Sequence, residues 1–232
     1  MKPLIRLSRI KKTVGSEQIL KGIDLEIYEG EFVSIIGASG SGKSSLLYIL
    51  GLLDKPTEGD VFFEDEKIDY SKDKRLSYLR NSKIGFVFQF HYLVQELSLL
   101  DNVILPAIKK GVPIKEARER AMVLLERLGL KGKENRKPYE ISGGEMQRTA
   151  IARALINQPK VLLADEPTGN LDSTNTQRVM DIFKDINKSQ TTIVMVTHEI
   201  DLARQTKRIV ELRDGCVIRQ EYLQQFSPGP GT

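Results

Sequence analysis

The spacing of hydrophobic positions changes character several times along the chain. Residues 4–28 and 61–68 carry alternating or short apolar stretches, separated by turns such as Glu29-Gly30 and Lys55-Pro56-Thr57-Glu58-Gly59, which predicts an antiparallel β layer. Four other runs, 32–36, 84–88, 161–164 and 193–197, are apolar at nearly every position. A strand apolar on both faces is one covered on both faces, so these runs predict the parallel strands of a core sheet. Between Phe90 and Pro159 the period turns helical. It is clearest where Ile114, Ala117, Ala121, Leu124, Leu125 and Leu128 recur every three or four residues before Gly129. Further helices are expected over Lys43 to Leu50, from Ser142 to Asn157, and over Thr174 to Lys188. Two apolar stretches, Ile209 to Arg213 and Cys216 to Arg219, flank Asp214-Gly215 and predict a hairpin.

Together these elements predict an α/β fold with a mainly parallel core sheet, an antiparallel β layer and an inserted α-helical lobe. The expected organisation is one domain over 1–225, with core and β lobe at about 1–89 and 158–225, the helical lobe at about 90–157, and a flexible Pro/Gly-rich tail at 226–232. A chain of 232 residues that is 40% hydrophobic can bury one large core. No apolar run approaches the roughly 20 residues that a membrane-crossing helix needs, and the N-terminus lacks the apolar region of a signal peptide. The single cysteine, Cys216, excludes an internal disulfide and suits a reducing compartment; it reads as a small apolar strand residue. Formal charge is only +4, and lysine clusters such as Lys109-Lys110 and Lys131-Gly132-Lys133 lack aromatic interleaving, so no nucleic-acid partner is expected.

Chemistry concentrates at three places. Gly37-Ala38-Ser39-Gly40-Ser41-Gly42-Lys43-Ser44 fits G-x-x-x-x-G-K-[ST] between a predicted buried strand and a predicted helix that continues through Ser45. Glycines let backbone N–H groups wrap a polyphosphate, the lysine neutralises the outer phosphates, and the Ser44 hydroxyl holds Mg²⁺. The helix N-terminus adds its own N–H groups and the positive end of its dipole. A nucleoside triphosphate with Mg²⁺ is therefore the expected ligand. At the end of the run Val161 to Ala164 stand two acids, Asp165 and Glu166. Adjacent carboxylates at a strand end cost solvation unless a cation or a reacting water uses them. Asp165 is assigned to the metal and Glu166 to polarising the attacking water as general base. Third, Ser142-Gly143-Gly144-Glu145 opens a helix; it has the form of a capping box, and its paired glycines also suit close approach of a phosphate.

These residues, in this order, resemble the ATP-binding cassette (ABC) ATPases from about Leu4 to Tyr222. The set comprises the phosphate loop, Gln89 after the strand Ile84 to Phe88, Ile141-Ser142-Gly143-Gly144-Glu145, the acid pair, Asn170-Leu171-Asp172 and Thr197-His198. The resemblance implies a P-loop ATPase domain that pairs head to tail with a second copy, the signature Ser142 to Glu145 of one copy closing over the ATP held by the other. It further implies that Gln89 touches Mg²⁺ or the attacking water and reports to integral membrane permease subunits, and that His198 contacts the γ-phosphate. Asn170 to Asp172 would cross the dimer interface, although the same stretch reads equally as a helix start capped by Asp172 or Ser173. Localisation at the cytoplasmic face of a bacterial inner membrane follows from the same likeness.

Within the family, the stretches Leu50 to Thr57, Gln89 to Leu93 and Ala164 to Asp172 are most similar to ATPases that release lipoproteins, with macrolide-exporter and cell-division ATPases as alternatives. Three positions depart from the common pattern. Valine occupies position 14, where the family usually places an aromatic ring against adenine, and Ile141 and Glu145 replace the commoner leucine and glutamine. Phe90, Tyr92, Leu93, Val94, Leu97, Leu99 and Leu100 read both as lobe core and as a docking surface for a membrane subunit.

Overall fold

A computed structural model describes residues 2–223. The tail expected at 226–232 lies outside the described residues. In chain order the elements are β1 (Pro3–Val14), β2 (Glu17–Tyr28), β3 (Phe32–Ile36), α1 (Lys43–Leu50), β4 (Glu58–Phe63), β5 (Glu66–Lys67), α2 (Asp73–Ser82) and β6 (Ile84–Phe88). They continue with α3 (Leu99–Lys109), α4 (Ile114–Arg127), α5 (Gly143–Leu155), β7 (Val161–Asp165), α6 (Ser173–Lys188), β8 (Thr192–Val196), α7 (Ile200–Ala203), β9 (Arg208–Arg213) and β10 (Cys216–Tyr222). A 3₁₀ turn, Pro138–Glu140, precedes α5. The chain forms two compact units, Met1–Leu76 with Ile186–Thr232, and Ser77–Asp185.

The first unit holds the expected antiparallel layer, in strand order β2-β1-β4-β5. It also holds β3, paired in parallel with β8 on one side and β9 on the other. All five residues of β3 and all five of β8 are buried, as strands covered on both faces require. The hairpin of β9 and β10 forms where Asp214-Gly215 predicts it, with Arg213 opposite Cys216. Both turn residues have positive φ, 48° and 78°, the requirement of a two-residue hairpin turn. Inside this unit Arg208, 2% exposed, bonds the fully buried Glu31 carboxylate at 3.0 Å. A buried charge is tolerable only with such a partner.

The second unit pairs β6 and β7 in parallel, with Phe88 opposite Asp165, and carries α3, α4 and α5. The helix read from Ile114 onward runs as α4, with Ala117, Ala121 and Leu125 buried on its periodic stripe. Gly85 lets α5 lie against β6, because a Cβ there would come within 2.6 Å of the Ala154 carbonyl. In α3, Asn102 is fully buried and exchanges bonds with Val94, accepting from its N–H at 2.7 Å and donating to its carbonyl at 3.0 Å. Helix α2 has little apolar signal: Leu76 and Leu79 are its buried hydrophobic residues in an otherwise polar stretch. Among the described residues no helix is long and apolar enough to cross a membrane.

Candidate functional site

In the first unit the phosphate loop leaves the C-terminal end of β3 and enters α1. Its glycines are there for stereochemical reasons. Gly37 has φ 154°, and a Cβ on it would stand 2.1 Å from the Leu212 carbonyl oxygen. Gly42, the N-cap of α1, has φ 97° and would drive a Cβ to 2.8 Å from Leu20. No L side chain satisfies both demands. The start of α1 has no side-chain cap and no acid in its first turn among the described residues. A helix start left in that state keeps N–H groups and its positive dipole end available to an anion. Lys43 is 8% exposed and folds back over the loop, donating to the Gly37 and Ala38 carbonyls at 2.9 and 2.8 Å. Ala38, Ser39 and Gly40 are exposed. Because Ile35 pairs with Val196, the loop after β3 and Thr197-His198 after β8 emerge at the same sheet edge. His198 is exposed, while Thr197 is fully buried and accepts from the Glu199 N–H at 3.1 Å. Ligands of open parallel sheets gather at this carboxyl edge. Val14, at the end of β1, is 59% exposed.

In the second unit the parallel register brings Gln89 and Glu166 to one edge, since each follows a residue of the Phe88–Asp165 pair. Asp165 is 9% exposed, and Glu166 is half-buried with a left-handed φ of 46°. A non-glycine residue held in that region is locally strained and marks a backbone that its surroundings dictate. Gln89 and Asn170 bond each other, and Gly169 leaves room for this, because a Cβ there would meet Gln89 Nε2 at 2.8 Å. Asp172 caps the start of α6: it accepts from the Asn175 N–H at 2.8 Å, and that N–H keeps its carboxyl below the usual range.

The turn Ser142 to Glu145 forms the expected capping box. Glu145 N–H donates to Ser142 Oγ at 3.3 Å and the Ser142 N–H donates to Glu145 Oε2 at 3.1 Å. The two glycines differ in purpose. A Cβ on Gly144 would come within 2.2 Å of Asn175 Oδ1, so packing alone requires glycine there; on Gly143 it would meet Leu171 at 4.0 Å and nothing nearer. The acid at position 145 brings its own partner: Lys133 pairs with its other oxygen and, more than any other group, holds its carboxyl below the ordinary value.

The segment after Gln89 divides. Leu93, Leu99 and Leu100 are core, whereas Phe90, Tyr92 and Val94 are exposed, with Tyr92 at 65%. Arg153 of α5 fixes it by donating to the His91 and Tyr92 carbonyls at 2.7 and 2.6 Å. Sequence reading missed Arg153, Lys133, Asn175 and Gln147. Of these, Gln147 alone gives a signal, polarity at a buried position of α5 that a core-facing helix would fill with an apolar residue.

As to cations, Ser44, Gln89 and Asp165 offer hydroxyl, amide and carboxylate oxygens. Among the described residues no group of three or more His, Cys, Asp or Glu is placed to hold a metal. An all-oxygen donor set with one carboxylate suits Mg²⁺, which binds through one or two carboxylates and completes its shell with phosphate and water.

A buried parallel strand, a glycine loop whose shape excludes side chains, and an uncapped helix start define a P-loop nucleotide-binding protein. The family model for ABC transporters matches residues 20–169, and the chain belongs to that family. It is 63% identical over 218 residues to the lipoprotein-releasing system ATP-binding protein LolD of Aquifex aeolicus, covering 94% of this chain and 97% of that one. It is 48% identical over 222 residues to the macrolide export ATP-binding/permease protein MacB of Escherichia coli, covering 94% of this chain but 34% of the relative. Among solved structures, the dimeric ATP-binding cassette MJ0796 bound to ADP and Pi superposes with a TM-score of 0.87 at 45% identity, over 96% of this chain and all of that one. The fold is the ABC ATPase fold, and the protein is an ATP-hydrolysing subunit of an ABC transporter, similar to LolD.

Proposed function

We propose that this chain powers the release of lipoproteins from the inner membrane toward the outer membrane, as a homodimer that closes on two ATP molecules beneath LolC/LolE-like permease subunits. The observation that carries this reading is its 63% identity to a LolD across nearly the whole of both chains, against 48% to MacB. Pairing is supported by the dimeric form of MJ0796. The protein acts at the cytoplasmic face of the membrane, held there by its permease partners.

Each residue takes its role from its motif. Gly37 to Ser45 wrap the phosphates, Lys43 turning from the loop carbonyls to the outer phosphates. Glu166 takes a proton from the attacking water, and His198 meets the γ-phosphate. Ser44, Gln89 and Asp165 would hold Mg²⁺, which neutralises charge on the phosphates when bound. From the partner copy, Ser142 and the open backbone at Gly143 reach the γ-phosphate, so departure of the cleaved phosphate as inorganic phosphate removes a large part of what holds the dimer shut. Exposed Phe90, Tyr92 and Val94 suit a helix of the permease.

The test is reconstitution with candidate permeases in proteoliposomes carrying an acylated protein. ATP-dependent release of the acylated protein, lost in Glu166→Gln while ATP binding persists, is the expected outcome. Stimulation of ATPase by a macrolide and its exporter instead would assign the chain to drug efflux.

A further inference from the structure

Helix α5 begins at the signature turn, and one turn in stands Gln147, a fully buried amide. Its Nε2 donates to the Pro167 carbonyl at 2.6 Å and reaches the Phe88 carbonyl at 3.4 Å. Its Oε1 is buried and has no hydrogen-bond partner among the described residues. A leucine would fill this space without burying an unpaired oxygen, so packing does not explain the amide. The donor explains it. Pro167 follows Glu166, whose left-handed φ of 46° must be held from outside, and Phe88 precedes Gln89. One side chain of the signature helix thus grips the backbone next to both residues at the edge of β6 and β7. The close approach of α5 to β6 at Gly85 makes that grip stiff.

We infer that Gln147 is a positioning residue for hydrolysis: through the Pro167 carbonyl it holds Glu166 in the orientation that activates water, and it ties that orientation to the signature helix. This rests on the proposed role of Glu166. A shift of α5 when its N-terminus engages the partner's nucleotide is carried directly to the base of its own chain. Hydrolysis at one site then depends on engagement at the other through a bond made within one chain, from α5 to the Pro167 carbonyl.

The experiment compares the full-length protein with Gln147→Leu, Glu166→Gln and the double variant, by steady-state ATPase, nucleotide affinity, thermal melting and sensitive phosphate-release measurement of residual turnover. In Gln147→Leu, kcat falls about tenfold or more, while KM for ATP and nucleotide affinity stay within about twofold and the melting temperature does not fall. In the Glu166→Gln background the same substitution has no further effect, because it acts through the group already removed. If Gln147→Leu does not fold, Gln147→Met, unbranched and of similar length, carries the same comparison. Full kcat in the folded variant, or an undiminished loss in the double variant, overturns the inference and leaves the base assignment standing. Wild-type turnover by Glu166→Gln overturns both.

Discussion

The side-chain amide of Gln89 donates to Asn170 Oδ1 at 3.3 Å, and Asn170 Nδ2 donates back to the Gln89 carbonyl at 3.4 Å. Two motifs that lie 81 positions apart are thereby joined side chain to side chain and side chain to backbone. Both bonds are long and the pair is exposed, so each stabilises only modestly. Their effect is to keep Gln89 turned toward the edge where Glu166 stands. Replacing Asn170 with alanine should leave the melting temperature within a few degrees and lower kcat about two- to tenfold, the size expected from losing one or two such bonds. Steady-state kinetics with ATP titration checks it. An equal rise in KM with kcat intact would show that the pair serves binding and not hydrolysis.

Glu145 and Lys133 form the second linkage, and it is sensitive to pH. The carboxyl of Glu145 lies below its ordinary value of 4.5, chiefly through the Lys133 bond, and it also accepts from the Ser142 N–H. A depressed carboxyl binds protons less readily folded than unfolded, so its contribution is fully present above the ordinary value. It is lost as pH falls through the lower folded value. Lys133→Ala should therefore destabilise the protein slightly at neutral pH, and the difference from wild type should vanish below the folded value. Melting curves from about pH 2 to 7, reaching well below the ordinary carboxylate range, check the sign. Because Lys133 also offsets an acid beside the turn proposed to meet the partner's γ-phosphate, the same variant should weaken ATP-driven dimerisation, and Glu145→Gln should restore it.

Much of this was legible in the pattern of residues, and the exceptions have physical reasons. Strands β3, β7 and β8 declare themselves because burial on both faces makes all but one residue of each apolar, and the phosphate loop because its backbone geometry admits only glycine at key positions. Helix α2 was missed since two leucines in a polar stretch give no periodic signal. Gln147 and Asn175 were missed for another reason. Gln147 bonds backbone carbonyls, Phe88 lying 59 positions away, and Asn175 stands against Gly144, which only the fold brings close. No spacing in one sequence encodes such pairs. Gly144 illustrates the converse, a residue whose presence was noticed but whose reason, the nearby Asn175, only coordinates supply.

That pair makes a prediction of its own. Asn175 cannot swing freely away from Gly144, because its Nδ2 donates to Asp172 Oδ2 at 2.8 Å and its own N–H donates to the other oxygen. Gly144→Ala should thus cost about 1–3 kcal/mol, the usual range for overpacking. In an Asn175→Ala background the amide is gone and a residual contact with the Cβ of residue 175, at 3.1 Å, remains, so the penalty should shrink without vanishing. A chemical-denaturation double-mutant cycle measures the coupling, and additive effects would show that the clash is relieved by backbone movement instead.

The phosphate loop allows a sharper contrast between two of its glycines. Gly37 and Gly40 both have positive φ, 154° and 77°, yet a Cβ on Gly37 would lie 2.1 Å from the Leu212 backbone oxygen, while one on Gly40 meets nothing within 4 Å. Gly40→Ala therefore carries only the left-handed strain of about 1–2 kcal/mol and should fold. Gly37→Ala adds a collision with backbone that cannot rotate aside, and should cost more than about 3 kcal/mol or prevent folding. Nucleotide affinity separates the roles further. Since Gly40 lies exposed in the middle of the loop, its methyl should stand in the way of the phosphates, so the folded Gly40→Ala protein should bind ATP at least tenfold more weakly, by the loss of about 1.4 kcal/mol. Calorimetric titration with ATP beside thermal melting distinguishes the two. Unaltered affinity in Gly40→Ala would mean that the loop meets phosphate through other backbone groups.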